Sequence, residues 1–246
     1  MAELQGTAVV VGVGSEQGLG AALSRRFARE GYRVIVSGRT EAKLAKTVRT
    51  IVEGGGEAEP VRADATIESD VVALFDRADA SSAGGLELVV FNAGNNARHD
   101  FRTMPGEFFE QTWRVATFGG FLVGREAARR LVPRGKGTVI FTGATASLRG
   151  RPPFTAFASA KAGLRSLAQS MAREFGPLGI HVGHVVIDGG IDGEKLSTAA
   201  PQRKVERGVD GLLNIDAIAE AYWHLHRQRA SAWTHELDLR PFKEPF

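Results

Sequence analysis

The stretch TAVVVGVGSEQGLGAALSRRFA, Thr7 to Ala28, runs from an apolar β-branched segment into an amphipathic one through spaced glycines. Val9 to Val11 show no polar alternation, the pattern of a strand buried on both faces. From Leu19 the apolar residues recur at helical spacing. Between the two, Gly14, Gly18 and Gly20 are spaced G-x-x-x-G-x-G. Glycines placed this way let the chain turn tightly and approach a pyrophosphate, while the following helix offers free N–H groups and the positive end of its dipole. The alternative is a strand-to-helix turn that binds nothing.

The same β-then-α unit recurs along the chain. RVIVSG precedes a helical segment near Glu41 to Glu53, EAEPVRAD one near Glu68 to Ala80, and LELVVFNAG a long one near Glu107 to Leu131. GTVIFTGA precedes Thr155 to Phe175, IHVGHVVI follows, and a helix near Ile215 to Arg227 leads to a last strand near His235 to Leu239. Parallel strands need right-handed crossovers, so this order predicts a Rossmann-type doubly wound α/β fold. About seven parallel strands are expected, with helices on both faces, in one domain over residues 1–246. Asp188 to Asn214 breaks the pattern with some two dozen Gly-, Ala- and charge-rich residues, read as an irregular substrate lid.

Composition bounds the chemistry. Zero cysteines among 246 residues exclude disulfides, thiolate metal sites and a cysteine nucleophile. Thirty-one Lys and Arg against 28 Asp and Glu are interspersed and form no tract, which argues against nucleic acid. The N-terminal MAELQGTAVVVGVG lacks a signal-peptide pattern, and no apolar run reaches membrane-helix length, so a soluble, unprocessed, cytoplasmic protein is expected. No pair of its six histidines has a convincing metal-ligand set, and no metal is expected.

The second strand ends SGRTEAKL, with Gly38 and Arg39 where a dinucleotide-binding chain chooses its cofactor. A free ribose 2'-hydroxyl calls for a carboxylate there, and a 2'-phosphate for a cation, so Arg39 favours NADP(H) over NAD(H). Against this, Arg39 decorates a helix start capped by Thr40, and Glu16 stands where a second cation would help.

Taken together these motifs resemble the classical short-chain dehydrogenase/reductase family. VGSEQGLG is similar to the family's T-G-x-x-x-G-x-G with Val13 for threonine, ADAT places Asp64 at the adenine contact, and FNAG keeps Asn92, Ala93 and Gly94 of N-N-A-G. IDGGID lies where the family has N-P-G, with Asp188 for proline and Gly189 retained. The resemblance implies a cofactor set of Gly14, Ser15, Gly18, Leu19, Gly20, Arg39, Asp64, Asn92, Ala93, Gly94, Lys161, Gly189 and Ile191. It also implies hydride transfer between nicotinamide and a small-molecule carbonyl or alcohol, and a homodimer or homotetramer built on the long helices and last strand, with Trp233 and Phe242 as anchors.

The family's proton carriers do not carry over. Phe157 in FTAFASAKAG occupies the tyrosine place, Ala144 in IFTGATAS the serine place and Ala116 in VATFGGFL the asparagine place, leaving Lys161 as the retained catalytic residue. Phe157 and Lys161 share a helix face with Leu164, Ala168 and Met171. One reading makes them a core ring and a snorkelling surface lysine; the other keeps Lys161 on the nicotinamide ribose and lines an apolar substrate pocket with the ring. Thr142, Thr145, Ser147, Asp188 and a His99–Asp100 pair within NAGNNARHDF (Asn95, Asn96, Arg98) are candidate replacement donors. His181 and His184 read as structural. Substrates that bring their own proton or positive charge suit a site without an acid: an iminium accepts hydride without an external acid, and a conjugated enone can take hydride at carbon with protonation by water; the rival reading is a catalytically silent NADP(H) sensor or an inert subunit.

Overall fold

The computed structural model describes residues 4–80, 84–94 and 96–245. A seven-stranded sheet forms its centre. In chain order its elements are β1 (Gly6–Val11), α1 (Leu19–Arg29), β2 (Tyr32–Gly38), α2 (Glu41–Glu53), β3 (Glu57–Arg62) and α3 (Glu68–Asp79). The second half comprises β4 (Leu86–Phe91), α4 (Gly106–Trp113), α5 (Gly119–Leu131), β5 (Gly137–Thr142), α6 (Thr155–Phe175) and β6 (Ile180–Ile187). Strand order is β3-β2-β1-β4-β5-β6-β9, where β9 is Glu236–Leu239, and every pair is parallel. Crossovers leave β1 and β4 in opposite directions, so their C-terminal ends flank a crevice, the usual ligand position in such sheets.

The unalternated valines of β1 are buried on both sides. Val10 packs with Leu23, Phe27, Ile218 and Tyr222 on the α1 side, while Val9 and Val11 pack with Phe75, Leu122 and Leu164 on the other. Edge strand β3 differs: it is only partly buried and carries Pro60, which lacks an N–H and is tolerated where one side of a strand goes unpaired.

Two expectations change. The long helical stretch runs from Gly106 to Leu131 but contains a π-helical turn, Arg114–Phe118, with Ala116 buried in it and the Thr117 hydroxyl donating to the Ala160 carbonyl at 2.7 Å. The lid is not irregular. It folds as β7 (Ile191–Asp192), α7 (Glu194–Ala199), α8 (Gln202–Arg207) and β8 (Leu213–Asn214), with β7 paired to β8, before α9 (Ile215–His226). Its helices are six residues each, too short for a periodic pattern to declare itself. No helix among the described residues is long and apolar enough to cross a membrane.

Helix α9 seals the sheet with Tyr222, which is fully buried and shares a 2.8 Å hydrogen bond with the hydroxyl of Thr142. Burial pushes the phenol's pKa up, so it stays protonated. Tyr222→Phe strands the Thr142 hydroxyl without that partner. Urea unfolding should show a loss of about 1–2 kcal/mol with an unchanged denaturant slope.

Candidate active site

The crevice starts at the end of β1, where three backbone segments meet. Gly12 and Val13 both donate N–H to the Ser37 carbonyl, at 2.9 and 2.8 Å. Gly12 has φ +92°, and a Cβ there would sit 2.5 Å from the Ala93 nitrogen; one at Gly38 would sit 2.3 Å from the Val13 carbonyl oxygen. Only glycine allows both approaches. Asn92 fastens the seam, donating its side-chain amide to the Gly12 carbonyl at 3.3 Å and its backbone N–H to Val11 at 2.8 Å.

Beyond the seam, Gly14 is exposed and a Cβ there would meet nothing within 4 Å. Gly18 caps α1 without a side-chain bond, and the first turn, with Leu19 buried and Gly20 behind it, holds no acidic residue. The helix therefore presents bare N–H groups and an uncompensated dipole end beside Ser15. An open, uncapped, glycine-walled helix start fits the pyrophosphate of NAD(P).

At the end of β2, Arg39 is exposed and makes no ion pair with a described residue. Thr40 sits at the start of α2, yet its side chain forms no capping bond. Glu16 bridges the two helices: its carboxylate accepts from the Thr50 hydroxyl of α2 and its backbone carbonyl from Arg25 of α1 at 2.9 Å. Asp64 commits Oδ1 to the N–H and hydroxyl of Thr66, at 2.9 and 2.8 Å, a local turn that orients the carboxylate after β3.

Lys161 lies on the other side of the crevice. It is 4% exposed, so it is no snorkelling surface residue, and its Nζ donates to the Thr142 carbonyl at 2.7 Å. The half-buried ring of Phe157, one turn earlier, has its centroid 6.0 Å from the ammonium. Gly94 is the near wall, since a Cβ there would be 3.1 Å from Nζ. Burial lowers the Lys161 pKa to about 8. Leu164, Ala168 and Met171 continue the buried face of α6.

The candidate proton donors are mostly committed to structure. Thr142 turns its hydroxyl to Tyr222 and only its carbonyl to Lys161. Ala144 starts a 3-10 turn, Thr145–Ser147, where the Ser147 hydroxyl accepts the Ala144 N–H at 3.1 Å. Thr145 donates to Asp188, whose other oxygen takes Arg240, both at 2.5 Å. Asp188 is buried, and its N–H donates to the Leu239 carbonyl at 2.8 Å, a bond that proline could not make. The His99–Asp100 pair does not form: His99 Nδ1 meets the Asp100 backbone carbonyl at 3.0 Å, and the Asp100 carboxylate pairs with Arg102. Arg98 instead stacks over Phe154, its guanidinium carbon 5.2 Å from the ring centroid, and Asn95 lies outside the described residues.

The segment after β6 bridges two loops that border the crevice. After Gly189 and the half-buried Ile191, Glu194 donates its N–H to the Gln17 carbonyl at 3.0 Å, and Lys195 donates to Asn96 at 2.7 Å. One short helix thus contacts both the glycine loop and the loop after β4. Sequence reasoning missed Gly12, the Asp188–Arg240 pair and the partners of His184, described below. Only Gly12 had a local signal, standing two residues before Gly14 at the strand's end.

Lys161 sets a pH dependence of folding. Its folded pKa of about 8 lies below the ordinary 10.5, so between these values the unfolded chain binds more protons and stability rises with pH. The cost of the buried charge is full below about pH 8 and relieved as pH approaches 10.5. In a denaturation series over that window, the wild type should gain on the order of 3 kcal/mol relative to Lys161→Met.

With this geometry in view, comparison with known proteins is direct. A family model described as short chain dehydrogenase matches residues 7–204. The 3β-hydroxysteroid dehydrogenase 1 of Eggerthella lenta is 34% identical over 230 residues, covering 90% of this chain and 87% of that protein. The crystal structure of a short-chain dehydrogenase from Rhodopseudomonas palustris is 39% identical, covers 96% of this chain and 99% of its own, and has a TM-score of 0.82. A metagenomic short-chain oxidoreductase in complex with NADP, 24% identical, shares the fold at a TM-score of 0.82 over 98% of this chain and 99% of its own. The chain belongs to the short-chain dehydrogenase family of oxidoreductases.

Proposed function

We propose that the protein is an NADP(H)-dependent oxidoreductase acting on a small carbonyl, imine or enone-like substrate without a tyrosine acid. The observation that carries this reading is Lys161, a buried ammonium on a carbonyl, beside the ring of Phe157. Gly14, Ser15, Gly18, Leu19 and Gly20 would hold the pyrophosphate, Arg39 the 2'-phosphate and Asp64 the adenine end. Asn92, Ala93 and Gly94 would flank the ribose, with Gly189 and Ile191 on the lid side. The nicotinamide, when bound, gives or takes the hydride.

The chain's own residues then have three tasks. Lys161 has N–H groups beyond the one given to Thr142, and these would hold the nicotinamide ribose and place positive charge where oxyanion character develops. Phe157 presents an apolar face to the substrate in place of a proton. The lid, through Glu194 and Lys195, covers the crevice and excludes water. General acid catalysis contributes about 10^2 to 10^4 in rate, so a site with Phe157, Ala144 and Ala116 at the proton-handling positions favours substrates that need no acid.

The same three residues support a second reading, a catalytically silent NADP(H) sensor or the inert partner of an active relative. Self-association would use the outer face of α5 and α6, where Phe121, Leu167, Met171 and Phe175 line an apolar groove. Trp233 is engaged within its own chain, stacked on His181 at 4.9 Å, whereas Phe242 is 74% exposed. Light scattering of the purified chain distinguishes monomer, dimer and tetramer.

Single-turnover mixing of NADPH with aldehydes, imines, enones and an oxosteroid tests the enzyme reading. Oxidation of NADPH by imines or enones, reduced about 10^2-fold or more in Lys161→Ala, is the expected result. Tight NADPH binding without turnover on any class supports the sensor, and rapid turnover of simple aldehydes alone overturns the tyrosine-independent mechanism. Arg39→Asp should reverse the cofactor preference by at least about tenfold in Kd. Ala144→Ser combined with Phe157→Tyr should raise ketone reduction by about 10^2-fold.

A further inference from the structure

Under α6 lies a part-buried polar cluster, built around the fully buried His184, that the proposed hydride chemistry leaves unused. Arg165 follows Lys161 by one helical turn and clamps the Glu236 carboxylate of β9 with two N–H groups, both at 2.6 Å. The same carboxylate meets His184 Nδ1 of β6 at 3.0 Å. A carboxylate only accepts, so the ring proton of the neutral imidazole is on Nδ1 and the lone pair on Nε2. Burial, opposed by Glu236 and reinforced by the charges of Lys161 and Arg165, lowers the imidazole pKa to about 4. The ring is therefore neutral at physiological pH.

His184 is fully buried, and its Nε2 has no hydrogen-bond partner among the described residues. That nitrogen lies against Gly143, where a Cβ would be only 2.3 Å away. Gly143 follows Thr142, whose carbonyl receives Lys161 Nζ. A single peptide unit thus carries the ammonium on its carbonyl and the imidazole against its next Cα. Leaving a buried acceptor unpaired costs about 1–3 kcal/mol, which a core filled by leucine would avoid, so a purely space-filling role does not account for histidine here.

The geometry points to His184 as a positioning residue for Lys161: anchored by Glu236 and Arg165, it braces the Thr142–Gly143 peptide and so fixes the carbonyl on which the ammonium rests. This deepens the role proposed for Lys161 and rests on it. The charged groups facing the imidazole are Glu236 from β9 and Lys161 and Arg165 from α6, while β5 contributes only the uncharged peptide. A carbonyl held on a buried ammonium stabilises its charged form in a low-dielectric interior. The brace thereby keeps the Thr142 carbonyl in place as the acceptor for Lys161, with no carboxylate hydrogen-bonded to the ammonium among the described residues.

The test uses the full chain without cofactor, labelled with 13Cε-lysine, with the Lys161 resonance assigned from its loss in Lys161→Met. His184→Leu should lower the protonation constant of Lys161 about tenfold. His184→Gln, whose side-chain amide can still donate to Glu236 and fill the space against Gly143, should restore most of it. An unchanged Lys161 titration in His184→Leu overturns the proposal. Should that variant not fold, Gly143→Ala, whose methyl displaces Nε2, must lower the titration in the same direction, and no change there overturns it equally. A wild type that binds no NADPH yet shows the His184-dependent titration supports the positioning role while overturning the functional reading.

Discussion

The backbone at the end of β1 passes so close to two neighbouring loops that no side chain fits between them. At Gly12 the neighbour is the Ala93 amide, and at Gly38 it is the Val13 carbonyl. This crossing holds the ends of β1, β2 and β4 to one rim, so that the uncapped start of α1, the exposed Arg39 and the Asn92–Gly94 segment border one crevice. A methyl group at either glycine would push the strand ends apart and separate the parts of a dinucleotide site that are far apart in sequence.

Two buried charges stand near this rim and are treated differently. Asp188 is neutralised by Arg240 and saturated further by Thr145, so its field is spent inside the fold, tying the end of β6 to the segment after β9. Lys161 has a carbonyl and an aromatic ring beside it and no carboxylate hydrogen-bonded to it among the described residues. Its positive potential therefore reaches the crevice with little internal compensation, and a cation in a low-dielectric surround acts more strongly than one in water. The same burial makes this charge costly to fold.

Much of the fold is legible in local pattern. The unalternated valines of β1, the helical spacing from Leu19 and the repeated β-then-α order predict a doubly wound sheet, because burial on one or two faces imprints a period on the nearest residues. The glycine loop is legible for the same reason, since turn geometry restricts residue type at the turn itself. The lid was not, because its helices are too short to show a period, and neither was the π-helical turn around Ala116, which depends on how α4 and α5 pack against α6.

By itself, then, the sequence determined the sheet class, the place of the glycine loop and the pairing of Phe157 with Lys161 on one helix face, all properties of residues a few positions apart. Tertiary structure alone decided which polar groups are free to act. Thr142 is claimed by Tyr222 across 80 residues, and Asp188 and His184 by Arg240 and Glu236 across 52 each. Desolvation penalises a buried polar atom left without a partner, and no local period records which partner the fold brings within reach.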